Sequence, residues 1–157
     1  MLVSTVIDRI KRGTHDAVDE YSEKTCIEYI NNAIQQVGSL LAGVNYPPLA
    51  QSVELEDGDT LPHNFMRACG QYPMRITNNK VEFIDDDIFT IRFRYFATPE
   101  LVKTVNDRLP FEHDAINEVV VSAAIILALN NNEFDISQDN NLMNALQQAI
   151  AGGMGVA

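Results

Sequence analysis

Apolar positions along the chain recur first at helical spacing, then alternate, then return to helical spacing. In STVIDRIKR, residues 4–12, Val6, Ile7 and Ile10 share one side of a short helix that Gly13 should stop. Ser22 then stands where an N-cap belongs, and Glu23 suits the positive end of a helix dipole. After them Cys26, Ile27, Ile30, Ala33, Ile34, Val37, Leu40 and Leu41 recur three and four apart, which predicts a helix over about 23–42.

Pro47 and Pro48 bar its continuation and push the residues before them towards extended backbone. SVELEDGDTLP reads as a short strand, an Asp-Gly turn and a second strand, and LPHNFMRACG has room for one helical turn. From Tyr72 strict alternation predicts an antiparallel β-meander. Met74 and Ile76 alternate with Arg75 and Thr77, Asn78-Asn79 suits a tight hairpin, and Val81 and Phe83 continue the pattern. Beyond three aspartates, Phe89, Ile91, Phe93 and Tyr95 should face one way and Thr90, Arg92 and Arg94 the other.

Pro99 and Pro110 frame a second transition. Helical spacing resumes over about 112–130, where Ile116, Val119, Val120, Ala123, Ala124, Ile126 and Leu127 cover too wide a face for a helix buried on one side only. That helix should lie centrally in a bundle. A last helix is expected over about 137–150, with Leu142, Leu146, Ala149 and Ile150 inward, followed by a mobile glycine-rich tail over 151–157. The fold expected is α+β and mainly helical: one domain over 1–157, in which about four helices bracket a small antiparallel β insertion at about 51–97.

Composition narrows what such a domain does. A chain of 157 residues buries roughly two thirds of its unfolded surface, enough for a core without staples. No apolar run approaches the roughly 20 residues that span a bilayer, and the first residues lack the basic-then-apolar order of a secretory signal. Cys26 and Cys69 form no CxxC, which suits a reducing cytoplasm and supplies no metal framework. The net charge is −11, and all 11 Lys and Arg residues lie at or before Arg108. The remainder carries only acids: Glu112, Asp114, Glu118, Glu133, Asp135 and Asp139. Gripping nucleic acid needs clustered cations, so this balance argues against it.

The candidate chemistry is sparse. Asp85, Asp86 and Asp87 are adjacent, so they point in different directions instead of converging on an ion, and aspartate is a favoured turn residue. Turn chemistry is the reading for them and for EDGD at 56–59. His15, His63 and His113 stand apart with no metal-binding spacing, and Cys69 has only Arg67 near it to lower its pKa. Neither a GxSxG elbow nor a phosphate-binding glycine loop is present. Arg92 and Arg94 are expected to pair across strands with Glu82 or another acid, or to contact a neighbouring subunit. No cofactor, metal or catalytic residue is predicted.

The order of these segments carries a resemblance. EKTCIEYINNAIQQV is followed by TLPHNFMRA, YPMRI, a β stretch ending IRFRYFATPELV, then DRLPFEHDAI and the alanine-rich VVVSAAIILALNNNEFD. This order resembles the head–tail connector, or adaptor, proteins of tailed bacteriophages over nearly the whole chain. The resemblance implies a virion structural protein, made in the host cytoplasm, whose copies form a dodecameric ring under the portal vertex. That ring would link the portal to downstream tail proteins and prolong the DNA channel without binding the genome specifically or meeting a membrane. It implies docking of the C-terminal segment, Ala151, Gly152, Gly153, Met154, Gly155, Val156 and Ala157, on the portal or a neighbour. Arg92 and Arg94 would then be interface residues, and Asp85, Asp86 and Asp87 an acidic tip facing channel or solvent. Two other classes stand beside it: a small cytoplasmic binding or regulatory module without a ring, and a divalent-metal-dependent hydrolase using the three aspartates.

Overall fold

A computed structural model describes residues 1–15 and 21–153. The chain divides into two compact units, Met1–Leu41 with Pro99–Ala157, and Ala42–Thr98. The architecture is α+β, with four helices and antiparallel strands lying between the first and last helix pairs in sequence.

In the first unit, α1 spans Val3–Gly13 and buries Val3, Val6, Ile7 and Ile10, one stripe at three- and four-residue steps. It stops where Thr14 folds back, its N–H and hydroxyl both donating to the carbonyl of Ile10 at 2.9 and 2.8 Å. α2, Glu23–Gly43, begins at the expected cap, with the Thr25 N–H donating to Ser22 Oγ at 3.1 Å. Its buried stripe comprises Cys26, Tyr29, Ile30, Ala33, Ile34, Val37 and Leu41. Ile27 and Leu40, expected inside, are half-buried, while Tyr29 is buried and meets Tyr21 edge to face at 5.8 Å.

α3, Asp114–Leu129, buries Ile116, Asn117, Val119, Val120, Val121, Ala123, Ala124, Leu127 and Ala128, so nearly its whole circumference is enclosed. Ile126, expected among them, is half-buried. The small side chains let neighbours approach: a Cβ on Gly13 would come within 2.9 Å of Ile125, and one on Gly38 within 2.7 Å of the Pro99 ring.

The last helix departs from expectation at both ends. Asp135 and Asp139 each accept a backbone N–H three or fewer residues on, from Ser137 at 3.0 Å and Leu142 at 2.9 Å. These bonds hold Ile136–Gln138 as a separate 3-10 turn and start α4 afresh at Asn140–Gly153. Ala151, Gly152 and Gly153 are therefore the last turn of α4 instead of a tail, since glycine costs little at a helix end. Met154, Gly155, Val156 and Ala157 lie outside the described residues.

In the second unit the strands are β1 Ala50–Glu56, β2 Phe65–Ala68, β3 Met74–Thr77, β4 Lys80–Phe83 and β5 Thr90–Ala97. The insertion is antiparallel as expected, but its strands do not pair in sequence order. One sheet runs β1-β5-β2 and a separate ribbon pairs β3 with β4. β5 sets Ile91, Phe93 and Tyr95 opposite Leu55, Val53 and Gln51 of β1, while β2 occupies its other edge. β5, the longest strand at eight residues, is paired along both edges and so stands at the centre of the sheet.

Three local expectations change accordingly. The Asp57-Gly58 turn leads not to a hairpin with β1 but to a single bridge between Thr60 and Lys80. The expected helical turn near Phe65 is a strand preceded by a tight turn, in which the Phe65 N–H reaches the carbonyl of Pro62 at 3.0 Å. Phe89, expected to face inward, precedes the strand and is 84% exposed. The Asn78-Asn79 hairpin forms as expected, with φ of 50° and 64°. Leu55, Leu61, Val81, Ile91, Phe93, Tyr95 and Ala97 make the core, and the Phe65, Tyr72 and Tyr95 rings surround Phe93 at 5.8, 5.0 and 5.7 Å between centroids.

Candidate functional site

The three aspartates sit in the link between β4 and β5, and all are exposed. Asp85 accepts the N–H of Asp87 on its own Oδ1 at 2.9 Å, and its carbonyl accepts from Ile88 at 3.3 Å. That is local turn bonding by the first of the three. The EDGD stretch works similarly at longer reach. Asp59 Oδ2 accepts from the Glu56 N–H at 2.7 Å, Gly58 supplies the left-handed φ of 88°, and Asp57 Oδ1 accepts from the Phe83 N–H at 2.8 Å. Asp57 thereby ties the turn after β1 to the end of β4. Among the described residues, no three His, Cys, Asp or Glu side chains gather as a metal ion would require.

The two arginines of β5 lie on its exposed side. Arg92 is opposite Glu54 and Arg94 opposite Ser52, while Glu82, an expected partner, is opposite Arg75 in the ribbon. Neither Arg92 nor Arg94 forms an ion pair among the described residues. Arg67 behaves differently. It reaches the carbonyl of Ala42 and Oδ1 of Asn45, and its guanidinium lies 5.0 Å from the Phe96 ring centroid.

His15 and His63 are exposed and His113 is half-buried at the N-cap of α3, where its side chain makes no capping bond. A Cβ on Gly152 would meet His113 Nε2 at 3.5 Å, so the last turn of α4 runs beside the start of α3. Cys26 is buried and Cys69 half-buried.

The polar residues that organise the helical unit were not singled out in the sequence. Asn31 clamps the segment after Pro99 in both directions, donating to the Val102 carbonyl at 3.0 Å and accepting its N–H at 2.9 Å. Gln36 does the same five residues further on, donating to the Phe134 carbonyl at 3.0 Å and accepting the Ile136 N–H at 2.9 Å. Asn32 donates to Asn132 Oδ1 at 2.8 Å. The signal was present in INNAIQQ as amides on the polar side of an otherwise apolar helix.

Charged groups in this unit also serve loops. Backbone N–H groups of Lys103 and then Thr104 hold the Asp107 carboxyl below its usual range. The Ser137 hydroxyl and N–H do the same for Asp135. Arg9 and Glu118 join α1 to α3 at 2.8 Å, and that hydrogen bond raises the arginine pKa. Every buried side-chain polar atom of the described residues has a partner except Asn117 Oδ1, whose amide donates to the Phe111 carbonyl at 2.8 Å.

Among the described residues no helix is long and apolar enough to cross a membrane. The sequence matches no family model and no curated protein.

Proposed function

We propose that this chain is a non-catalytic ring subunit, a head–tail connector that joins the portal of a tailed bacteriophage to its tail. The observation that carries the reading is the pairing of architecture with charge. In sequence, helices at both ends flank a β insertion, and every Lys and Arg lies at or before Arg108 in a chain of net charge −11. Ring subunits meet through unlike surfaces that close by rotation, and an uneven charge distribution supplies such surfaces. A duct that passes double-stranded DNA must not hold it, and an acidic wall repels phosphate over the Debye length of about 8 Å at physiological salt.

The ordered carboxylates described above fit this reading, because they brace turns while adding negative charge. The last turn of α4, with the residues after it, remains the segment proposed to dock on the portal or a neighbouring copy.

Electron microscopy of the purified chain mixed with its portal tests the proposal. Rings stacked coaxially on the portal are expected. A chain that stays monomeric beside the portal, or virions lacking it at the head–tail junction, would remove the reading.

A further inference from the structure

The sheet of the β unit has two edges, and they are built differently. β2 closes one with four residues and a register shift between Phe65 and Arg67, features that blunt an edge against further pairing. β1 forms the other with seven residues in unbroken register with β5.

Which backbone groups of β1 face outward follows from β5. The Arg94 N–H donates to Tyr72 Oη at 2.9 Å and its carbonyl accepts the Cys69 N–H at 2.9 Å, both from the chain leaving β2. Backbone groups alternate sides along a strand, so Ile91, Phe93 and Tyr95 turn theirs to Leu55, Val53 and Gln51. Ala50, Ser52, Glu54 and Glu56 therefore turn theirs out. Local turns occupy both ends of this edge: the Ala50 N–H reaches the Pro47 carbonyl, and Glu56 exchanges bonds with Asp59 at 2.7 and 3.1 Å. Between them the N–H and carbonyl of Ser52 and of Glu54 have no partner among the described residues, and both residues are exposed.

We propose that this window joins β1 to β1 of a second copy, antiparallel about a two-fold axis at Val53. A second copy is the occupant because the window complements itself in one register only. With Val53 opposite Val53, Ser52 exchanges both bonds with Glu54 of the other copy, and every open N–H finds an acceptor. Sliding two residues one way sets Glu54 opposite Glu54 and calls on the groups that Glu56 has given to Asp59. Sliding the other way calls on the Ala50 N–H, which Pro47 holds.

The side chains agree. Val53 is half-buried at the margin of the aromatic core, and its twin covers what is left open. On the opposite face Arg94 lies beside Ser52 and Arg92 beside Glu54. Across the joined sheets each row reads Arg94, Ser52, Glu54, Arg92. Each carboxylate thus stands between arginines that form no ion pair among the described residues. Such a join is isologous and closes at two copies. It goes beyond the ring reading without resting on it: the pair is the form of the free chain, and it parts when copies meet a portal through other surfaces.

Sedimentation of the full chain over about two decades of concentration should show a reversible dimer, weak because the join is short. Ser52→Pro removes only an outward N–H, which an edge strand tolerates, so this variant should keep its melting temperature and weaken the dimer by about tenfold or more. Glu54→Arg should also weaken it, and adding Arg92→Glu with Arg94→Glu should restore it. In a Cys69→Ser background, oxidised Val53→Cys should give about tenfold more disulfide dimer than Glu56→Cys, since only residue 53 meets its own twin within disulfide reach.

A chain monomeric at every concentration overturns the proposal. So does a dimer that Ser52→Pro leaves intact, or equal cross-linking at both cysteines. An edge that takes up an extended segment of another protein while two copies never join overturns it too. Ser52→Pro protein should still form rings on the portal; a ring lost together with the dimer would make this edge a ring contact and discard the two-fold pair.

Discussion

The helical unit and the β unit solve the same problem, holding non-adjacent stretches of chain together, with different materials. In the helical unit, periodic aliphatic faces make the core, and amides close the long-range contacts while Asp107, Asp135 and Asp139 brace local turns: Asn31 and Gln36 each grip a segment about 71 or 98 residues away through paired bonds. In the β unit, aromatic rings around Phe93 make the core, and carboxylates close the turns. Amide clamps satisfy a donor and an acceptor with one side chain and are indifferent to pH. Carboxylate clamps accept only, and they add to the negative charge. What differs is reach: amides hold distant segments of the helical unit, whereas carboxylates brace turns in both units, so part of this chain's acidity is structural.

The largest expected effect separates the two units outright. Phe93 is fully buried, and Phe93→Ala should cost about 3–5 kcal/mol, read from denaturant midpoints. Amide hydrogen exchange on the same variant should show β1, β2 and β5 opening while α3 stays protected. Equal loss of protection in both would mean that the contrast has no thermodynamic counterpart.

Gln36→Leu comes next. It strands the Phe134 carbonyl and the Ile136 N–H, and each unsatisfied group of this kind costs roughly 1–3 kcal/mol when buried. Thermal denaturation should show a clear loss, and an unchanged midpoint would remove amide clamping from the comparison.

Gly38→Ala pits two small terms against each other. Alanine improves the helix by up to about 1 kcal/mol, but its Cβ would lie 2.7 Å from the Pro99 ring, and overpacking costs about 1–3 kcal/mol. A net loss of about 1 kcal/mol is expected. A gain would show that the ring yields.

The smallest effect concerns pH. Asp107 and Asp135 have carboxyl pKa values lowered by their bonds to nearby N–H and hydroxyl groups. A group depressed in the folded state binds its proton more readily when unfolded, so its stabilisation is present above the ordinary carboxyl pKa of about 4 and fades as pH falls below it. Melting temperature should therefore decline on acidification below about pH 4, and Asp107→Asn should flatten part of that decline.

The helices were legible because each is long and periodic, and the Ser22 cap and the Asn78-Asn79 hairpin because their local chemistry is specific. Strand pairing was not. Alternation says which side of β5 is buried and nothing about which strand lies beside it, so a meander was the natural expectation and β1-β5-β2 the outcome. The start of α4 was missed because Asp135 and Asp139 each offer the backbone a bond that competes with helix. Of the candidate residues, the turn role of Asp85 was readable. The engagement of Arg67 with the end of α2 was not, because it depends on tertiary placement within the unit.

The central position of β5 bears on how the chain acquires its shape. β1 and β2 have no partner until Thr90–Ala97 has been synthesised, and Ala50 waits for Phe96. At the other end of the register, the bridge of Leu2 to Arg108 and the packing of α1 on α3 need still later residues. Nucleation by neighbouring segments is thus confined to single helices, the α3–α4 pair and the β3–β4 hairpin, and the rate should be governed by closing long loops. A ribosome-bound fragment ending before residue 90 would hold two orphan strand edges, the species on which chaperones act.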